Sequence, residues 1–458
     1  MKLSYLTYIF INADKTQATV FMVKVITYGT FDLLHYGHIH LLERAKALGD
    51  HLIVGITSDD FDKARGKINN RQSLVERIAA VKETGLADEI IVEEYEGQKI
   101  DDIREYGVDI FTVGSDWTGH FDYLKAYCKV VYLPRTEGIS SSGVRAESRK
   151  LKIGLVGDTA FREKFIREAG FVNGAEVVIP QTGNYDELLE CVDAVYVISK
   201  PEMHYADVNK ALQAGKHVLC ESPVAFGAEE ATALYNLAEE KHLILMDAIK
   251  TAYSTAYGRL ILLAKSGRIG DIISVDSVCT SLQDRVGEAG ADLSGKWNSM
   301  CAWGPVAMLP VLDIFGTGYK SLSFYTRFID KAANMDAFTK MDFVYAEGVA
   351  SAKVAKGAKA EGELVITGTK GYILVPAPWW KTDYFEVRFE NPADNKRYFY
   401  QLDGEGIRYE IAAFSKAIEA GKNISFVNRA VSVTIAKVID SFNKRKGMTE
   451  IGAIREKE

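Results

Sequence analysis

The chain has 458 residues, 47% of them hydrophobic, which is long enough for two or three domain cores and too long for a single small binding module. Lys and Arg number 55 against 62 Asp and Glu, a net charge of -7, and no basic block could neutralise a run of phosphates, so a nucleic-acid partner is not expected. The cysteines, Cys128, Cys191, Cys220, Cys279 and Cys301, are widely spaced and form no Cys-x-x-Cys pair, which argues against a disulfide framework or structural zinc and for a reducing, cytoplasmic compartment.

Residues 1–21 read as an N-terminal extension. Their apolar stretch, Leu3 to Ile11, is too short to span a bilayer and lacks a basic start and a small-residue cleavage site, so no membrane association is expected. Met22, opening Met-Val-Lys-Val-Ile-Thr-Tyr-Gly, reads as the natural start. Lys24 to Tyr28 predicts a strand running into Gly29. Strand-like runs at 52–57, 110–114 and 129–133 then alternate with helical patterns at 38–48, 73–85 and 98–106, predicting a doubly wound parallel sheet over 22–148. A Ser-rich, charged stretch from Ser140 to Lys152 marks a boundary. The pattern restarts with Leu151 to Val156, Gly157, Asp193 to Ser199 and His217 to Cys220, a second Rossmann domain over 151–270. Beyond it, Gly362 to Thr367, a turn at Thr369-Lys370-Gly371 and Tyr372 to Val375 predict an open, largely antiparallel sheet in a C-terminal α/β domain over 271–458. Helical spacing at Tyr409 to Ala420 and Arg429 to Lys444 is expected to cover a sheet, and Pro376 to Trp380 to pack at its edge.

The first candidate site is Gly29-Thr30-Phe31-Asp32-Leu33-Leu34-His35-Tyr36-Gly37-His38. It lies where a first strand ends and a helix begins, so free backbone N–H groups and the positive helix end can meet an anion. Two imidazoles three residues apart share a face, and Gly37 removes a side chain that would block a phosphate, which suits a triphosphate. Helix capping or solvation is the bland alternative for such histidines, and the preceding Gly-Thr-Phe-Asp favours the functional reading.

This segment resembles the His-x-Gly-His nucleotidyltransferase superfamily and, within it, the glycerol-3-phosphate cytidylyltransferases. The resemblance spans 22–148 and includes Arg135-Thr136-Glu137-Gly138-Ile139-Ser140-Ser141-Ser142 near its end. It implies that Thr30, Phe31, His35 and His38 contact CTP and that Lys67 reaches its phosphates. Arg135, Thr136, Ile139, Ser140, Ser141 and Ser142 would close over the nucleotide. It also implies that Arg65, replacing a family lysine, and Lys99 bind the phosphate of a polyol phosphate. Asp116 and Trp117, in a departing Gly114-Ser115-Asp116-Trp117, are read equally as site or as turn cap and core. The expected reaction is in-line attack of the acceptor phosphate on the α-phosphorus of CTP with pyrophosphate leaving. Mg²⁺, carried mainly by the triphosphate, is expected from that chemistry and no protein metal site from any ligand spacing.

The second half, through Ile153-Gly-Leu-Val-Gly157, Asp193 to Ser199, Ala211 to Pro223, Gly267-Arg-Ile-Gly-Asp271 and Gly368 to Tyr372, resembles the glucose-fructose oxidoreductase/inositol dehydrogenase (Gfo/Idh/MocA) family, which binds NAD(P). Yet the glycine-rich turn reads Gly157-Asp158-Thr159-Ala160, and the strand from Glu176 to Ile179 ends in Pro180-Gln181 without a ribose-binding acid. The family's Glu-Lys-Pro is Glu221-Ser222-Pro223, and its later Asp and His fall on Met308 and Leu312 when Trp303-Gly304-Pro305 is aligned with the usual glycine-rich turn. These losses oppose dinucleotide binding and catalysis. Lys200, His204 and Lys250 could still line a cleft, or stand as surface cations and a locally packed histidine. Three readings follow: a cytidylyltransferase with a degenerate oxidoreductase-like half; a bifunctional enzyme whose second half reduces a keto-sugar phosphate with NAD(P)H; and a second half that is a non-catalytic binding or oligomerisation module. Both resembled families commonly form homo-oligomers, and a CDP-alcohol product would feed a cell-surface polymer.

Overall fold

The computed structural model describes residues 22–64, 67, 70, 72–95, 97–134, 150–157, 161–179, 184–282, 297–400, 402–423 and 427–452. The chain forms two compact units: Met1–Ile56, Val75–Val92 and Ile100–Ile139 make the first, and Thr57–Leu74, Glu93–Lys99 and Ser140–Glu458 the second. The extension over 1–21 lies outside the described residues.

The first unit is built on β1 (Lys24–Gly29), β2 (His51–Thr57), β3 (Glu89–Glu93), β4 (Ile110–Gly114) and β5 (Lys129–Leu133), ordered β3-β2-β1-β4-β5. β1 pairs in parallel with β2 and β4, and β4 with β5. Val25, Ile26, Leu52, Ile53 and Val54 are buried, as in strands covered on both faces. Ile26, Tyr28, Ile53, Ile103, Phe111, Phe121 and Leu124 form one core. The helix Tyr36–Lys46 turns Leu42 and Ala45 inward. β3 escaped the sequence reading because its three apolar residues are closed by a glutamate at each end.

In the second unit, β6 (Leu151–Val156), β7 (Ala175–Val178), β8 (Ala194–Val197), β9 (His217–Glu221) and β10 (Leu245–Ala248) form an all-parallel sheet ordered β10-β9-β8-β6-β7. The other sheet contains β11 (Ile272–Thr280), β12 (Ser321–Asp330), β13 (Met335–Val344), β14 (Val349–Ala355), β15 (Leu364–Gly368), β16 (Gly371–Val375), β17 (Tyr384–Phe389), β18 (Lys396–Phe399) and β19 (Met448–Glu450). Its order is β18-β17-β16-β15-β11-β14-β13-β12-β19. The pairings β11–β14 and β12–β19 are parallel and the rest antiparallel. This is the α/β class expected, with two parallel sheets and a largely antiparallel third.

One detail differs from the sequence reading. Trp303-Gly304-Pro305 lies inside the helix Ser299–Phe315, not in a turn. Asn298 caps this helix by accepting from the Cys301 N–H at 2.8 Å, and an almost unbroken apolar run then carries the helix through Pro305 and Pro310 because it is packed against the large sheet. The helix Ile407–Ala420 covers the parallel sheet: Ile407, Ile411, Phe414 and Ala417 join Ile153, Leu155, Tyr196 and Met246 in one core. The helix Arg429–Asn443 gives Ile435, Val438, Ile439 and Phe442 to the large-sheet core and Ala436 to the parallel-sheet core. Trp379, nearly fully buried, donates its indole N–H to the Val278 carbonyl at 3.1 Å, so the Pro376–Trp380 segment packs. Among the described residues no helix is long and apolar enough to cross a membrane.

Gly55 in β2 lies against Tyr28, whose hydroxyl donates to Asp102 at 2.6 Å. A Cβ at Gly55 would stand 2.3 Å from the Tyr28 ring. Gly55→Ala is expected to destabilise the first unit by about 1–3 kcal/mol, read as a lowered midpoint in thermal unfolding followed by circular dichroism.

Candidate functional site

In the order β3-β2-β1-β4-β5, the chain leaves β1 toward one side and returns at β4 on the other. The carboxyl ends of β1 and β4 therefore open a crevice at the reversal point. Gly29 ends β1, and the chain then takes left-handed conformations at Phe31 (φ 52°) and Leu33 (φ 47°). The Phe31 ring folds back over Gly29, where a Cβ would meet it at 2.9 Å, and is buried. His35 is the N-cap of the helix Tyr36–Lys46. Its carbonyl accepts from the N–H groups of His38 at 2.9 Å and Ile39 at 3.1 Å. The imidazoles of His35 and His38 stack with centroids 3.8 Å apart and planes 18° apart, and the Phe31 ring meets His38 edge-on at 5.5 Å. At Gly37 a Cβ would press within 3.1 Å of the His35 ring. The His-x-Gly-His spacing thus yields two ring donors side by side at a positive helix end, a place suited to phosphate oxygens.

One contributor was not read from the sequence. Arg77 is fully buried and its guanidinium donates to the Thr30 carbonyl at 2.7 Å, fixing the backbone that carries Phe31 toward His35. Its signal is faint: Arg77 and Val81 are the inward-facing pair of the helix Leu74–Glu83, so an arginine occupies a core position.

The other expected residues divide. Lys67 belongs to the second unit, in an isolated bridge with Asn173, its ammonium 3.8 Å from Asp62. Lys99, also in that unit, is buried in an ion pair with Glu93. Arg65, Arg135, Thr136, Ile139, Ser140, Ser141 and Ser142 lie outside the described residues. Asp116 and Trp117 stand exposed in a short turn after β4, with Trp117 against His120 at 5.1 Å and Phe121 at 5.9 Å.

The carboxyl rim of the second parallel sheet is built differently. At Gly157 (φ 107°) a Cβ would come within 2.4 Å of the Ser199 nitrogen, so glycine lets the ends of β6 and β8 approach. The turn that follows, Asp158 to Ala160, lies outside the described residues. Lys200 is an exposed N-cap of the helix Pro201–Gln213. His204 is fully buried, with its ring nitrogens 2.7 Å from the Pro223 carbonyl and 2.9 Å from the Ser199 carbonyl. It ties the chain after β8 to the chain after β9. Met308 and Leu312 are buried in the apolar core. With Ser222 in place of the lysine as well, three side chains that the resemblance would place at this rim are absent from the sequence.

Carboxyl groups crowd beneath this rim. Glu221 accepts from the Tyr196 hydroxyl, and burial pushes its pKa up while Tyr196, Lys250 and His204 oppose that. Glu410 is buried with neither oxygen hydrogen-bonded, and burial and Glu221 raise it well above the usual carboxylate range while Lys250 opposes that. Asp247, at the heart of β10, is pushed by burial to about 7, an effect that the Ser222 and Ser432 hydroxyls beside it partly offset without closing hydrogen bonds. Lys250 follows β10, its ammonium 3.8 Å from Glu405 and 5.1 Å above the Phe161 ring. Burial lowers its pKa, and Glu221, Glu410 and Glu405 resist that.

Residues 26–147 match the cytidylyltransferase-like family, and residues 152–248 match the oxidoreductase family with an NAD-binding Rossmann fold. Glycerol-3-phosphate cytidylyltransferase of Bacillus subtilis (strain 168) is 51% identical over 131 residues, 28% of this chain and 97% of that protein. The enzyme of the same name from Staphylococcus aureus is 47% identical over 131 residues, 28% of this chain and 95% of its own length. Among solved structures, KijD10, a 3-ketoreductase from Actinomadura kijaniata in complex with NADP and TDP-benzene, aligns with a TM-score of 0.57 at 17% identity, covering 67% of this chain and 100% of that one. At that identity the likeness is one of fold.

Asp247 supplies a test of the buried cluster. Its folded pKa of about 7 lies above the ordinary aspartate value of 3.8, so between these values the folded chain holds a proton that the unfolded chain releases. Its contribution is present below the lower value and lost as pH rises through the upper. Asp247→Asn should remove a pH-dependent loss on the order of a few kcal/mol, so that the variant loses less stability than wild type between pH 5 and pH 8 in denaturant titrations.

Proposed function

Since the chain belongs, through its N-terminal region, to the glycerol-3-phosphate cytidylyltransferase family, we propose that it joins CTP to glycerol 3-phosphate or a similar polyol phosphate, releasing pyrophosphate and a CDP-alcohol. The observation that carries this reading is the His35–His38 stack at a helix N-terminus beside the β1/β4 reversal point. Attack of an acceptor phosphate oxygen on the α-phosphorus forms one P–O bond as the bond to pyrophosphate breaks, leaving charge on the equatorial oxygens. His35 and His38 donate hydrogen bonds to those oxygens, and Phe31 and Thr30 hold the turn that presents them. Lys67 and Arg135 balance the leaving pyrophosphate. Thr136, Ile139, Ser140, Ser141 and Ser142 enclose the nucleotide, and Arg65 and Lys99 receive the acceptor phosphate. For Lys99 this requires sharing or leaving Glu93. Among the described residues no group of three His, Cys, Asp or Glu side chains is arranged to hold a metal ion; a Mg²⁺ ion would be held mainly by the triphosphate itself and would supply charge neutralisation there. The setting is the cytoplasm, where the five cysteines, all free thiols, stay reduced.

The second half, in this reading, keeps a dehydrogenase fold and serves binding or homo-oligomeric assembly. A reductase that makes the polyol phosphate is the second reading, favoured by the match of residues 152–248 to an NAD-binding family.

Two measurements test this. His38→Ala should lower pyrophosphate release from CTP and glycerol 3-phosphate by on the order of a hundredfold or more with unchanged circular dichroism; near-normal turnover would overturn the site. Titration with NADH and NADPH, followed by cofactor fluorescence, should show no saturable binding in the micromolar range. Saturation there, with turnover of a keto-sugar phosphate, would establish the reductase instead.

A further inference from the structure

In the second unit three ammonium groups from separate elements converge on one carboxylate. Lys164, on the helix Phe161–Ala169, is ion-paired with Glu405. Lys381, between β16 and β17, lies 2.9 Å from it, and Lys250, after β10, lies 3.8 Å from it. The lysine side chains are 28%, 38% and 28% exposed and that of Glu405 35%, so the cluster is reachable from solvent yet shielded enough for charge to count.

The backbone is bent to create this meeting. Gly404 (φ 56°), Glu405 (φ 55°) and Gly406 (φ 93°) are three successive left-handed residues. Glycine adopts that conformation freely, but a glutamate there is strained, and the strain places its carboxylate among the lysines. Burial pushes the Glu405 pKa up, but Lys164 and Lys381 pull it down to about 2, so it stays anionic.

The charges do not balance. Lys164 and Lys381 alone exceed Glu405 by one positive charge, and Lys250 adds toward a second because Glu221, Glu410 and Glu405 support its ammonium against burial. The other carboxyls near Lys250, the half-buried Glu221 and the buried Glu410, are shifted toward their neutral forms by desolvation. Glu168 and Asp403 are engaged by Arg408 at 2.9 Å and 3.9 Å, with Arg167 also on Glu168. The cluster also sits by the carboxyl rim of a parallel sheet, where open α/β sheets take their ligands.

We infer that Lys164, Lys250 and Lys381 form a binding site for a phosphate monoester, with Glu405 as its resident counter-charge. Such an ester carries about −1.5 to −2 at neutral pH, enough to answer both the cation that Lys164 and Lys381 leave over Glu405 and the ammonium of Lys250, whereas a carboxylate monoanion answers only one. Lysines meet phosphate as compact point charges and need no forked geometry. This site goes beyond nucleotidyl transfer and does not rest on it.

The test is isothermal titration of the full-length chain with inorganic phosphate and with glycerol 3-phosphate. The Lys164→Ala/Lys381→Ala double variant should weaken one binding component about tenfold or more. Glu405→Gln should strengthen the same component several-fold. Both variants should keep wild-type pyrophosphate release, which shows that they fold and that the first site is intact. Equal phosphate binding in wild type and the double variant, or weaker binding in Glu405→Gln, would overturn the site. So would competition for that component by NADPH at micromolar concentration, which would assign the lysines to a dinucleotide. If the double variant does not fold, Glu405→Gln decides alone, because it removes no cation. Loss of pyrophosphate release in the wild-type chain would defeat the proposed transfer reaction and leave this site untouched.

Discussion

The crowding at the end of β1 governs the first site. Gly29 leaves room for the Phe31 ring to fold back over the strand, and Gly37 leaves room for the His35 ring beside the helix. Phe31 and Leu33 take left-handed conformations that side chains resist, and Arg77 holds the Thr30 carbonyl between the strand and those residues. With that backbone set, His35 and His38 have to stack, since they are three residues apart on the first turn of one helix. The two rings are thus held in place by the protein's own packing, and fixed dipoles of that kind are what transition-state stabilisation draws on.

The second unit faces the reverse problem. It buries Asp247 and Glu410 with no hydrogen bond closed on their carboxyl oxygens and half-buries Glu221 beside the Tyr196 hydroxyl, and desolvation shifts all three toward their neutral forms. A buried charge without partners is costly, whereas a neutral carboxyl costs about as much as any unpaired polar group. Closer to the surface the balance is inverted, with Lys164, Lys250 and Lys381 around a single ionised Glu405. Carboxyls shifted toward their neutral forms thus lie in the same unit as a more exposed cluster of lysines around one ionised carboxylate.

Much of this architecture was legible in the residues. Strands 110–114, 129–133 and 151–156 fall where alternation with helices placed them; 110–114 and most of 151–156 are buried and read as continuous apolar runs, and the edge strand 129–133 shows as a short β-branched run. β3 and β10 were hidden: one is closed by glutamates, and the other carries Asp247 within four residues. The helix Ile407–Ala420 was legible as a helix, yet its partner was not, since amphipathic spacing names a face and not what the face covers.

The sequence by itself determined the fold class and the His-x-Gly-His element, since each is written in local spacing: strand, glycine, helix start and the three-residue interval of an imidazole pair. Only the tertiary structure decided that Arg77 braces Thr30, that Lys99 is already paired with Glu93, that His204 ties two loops, and that Lys164, Lys250 and Lys381 share Glu405. Arg77 and Thr30 are 47 positions apart, and the lysines of the cluster come from different elements. Charge acts through space and burial, so which cations are neutralised and which remain available depends on how the chain folds back on itself, a relation that no local spacing encodes.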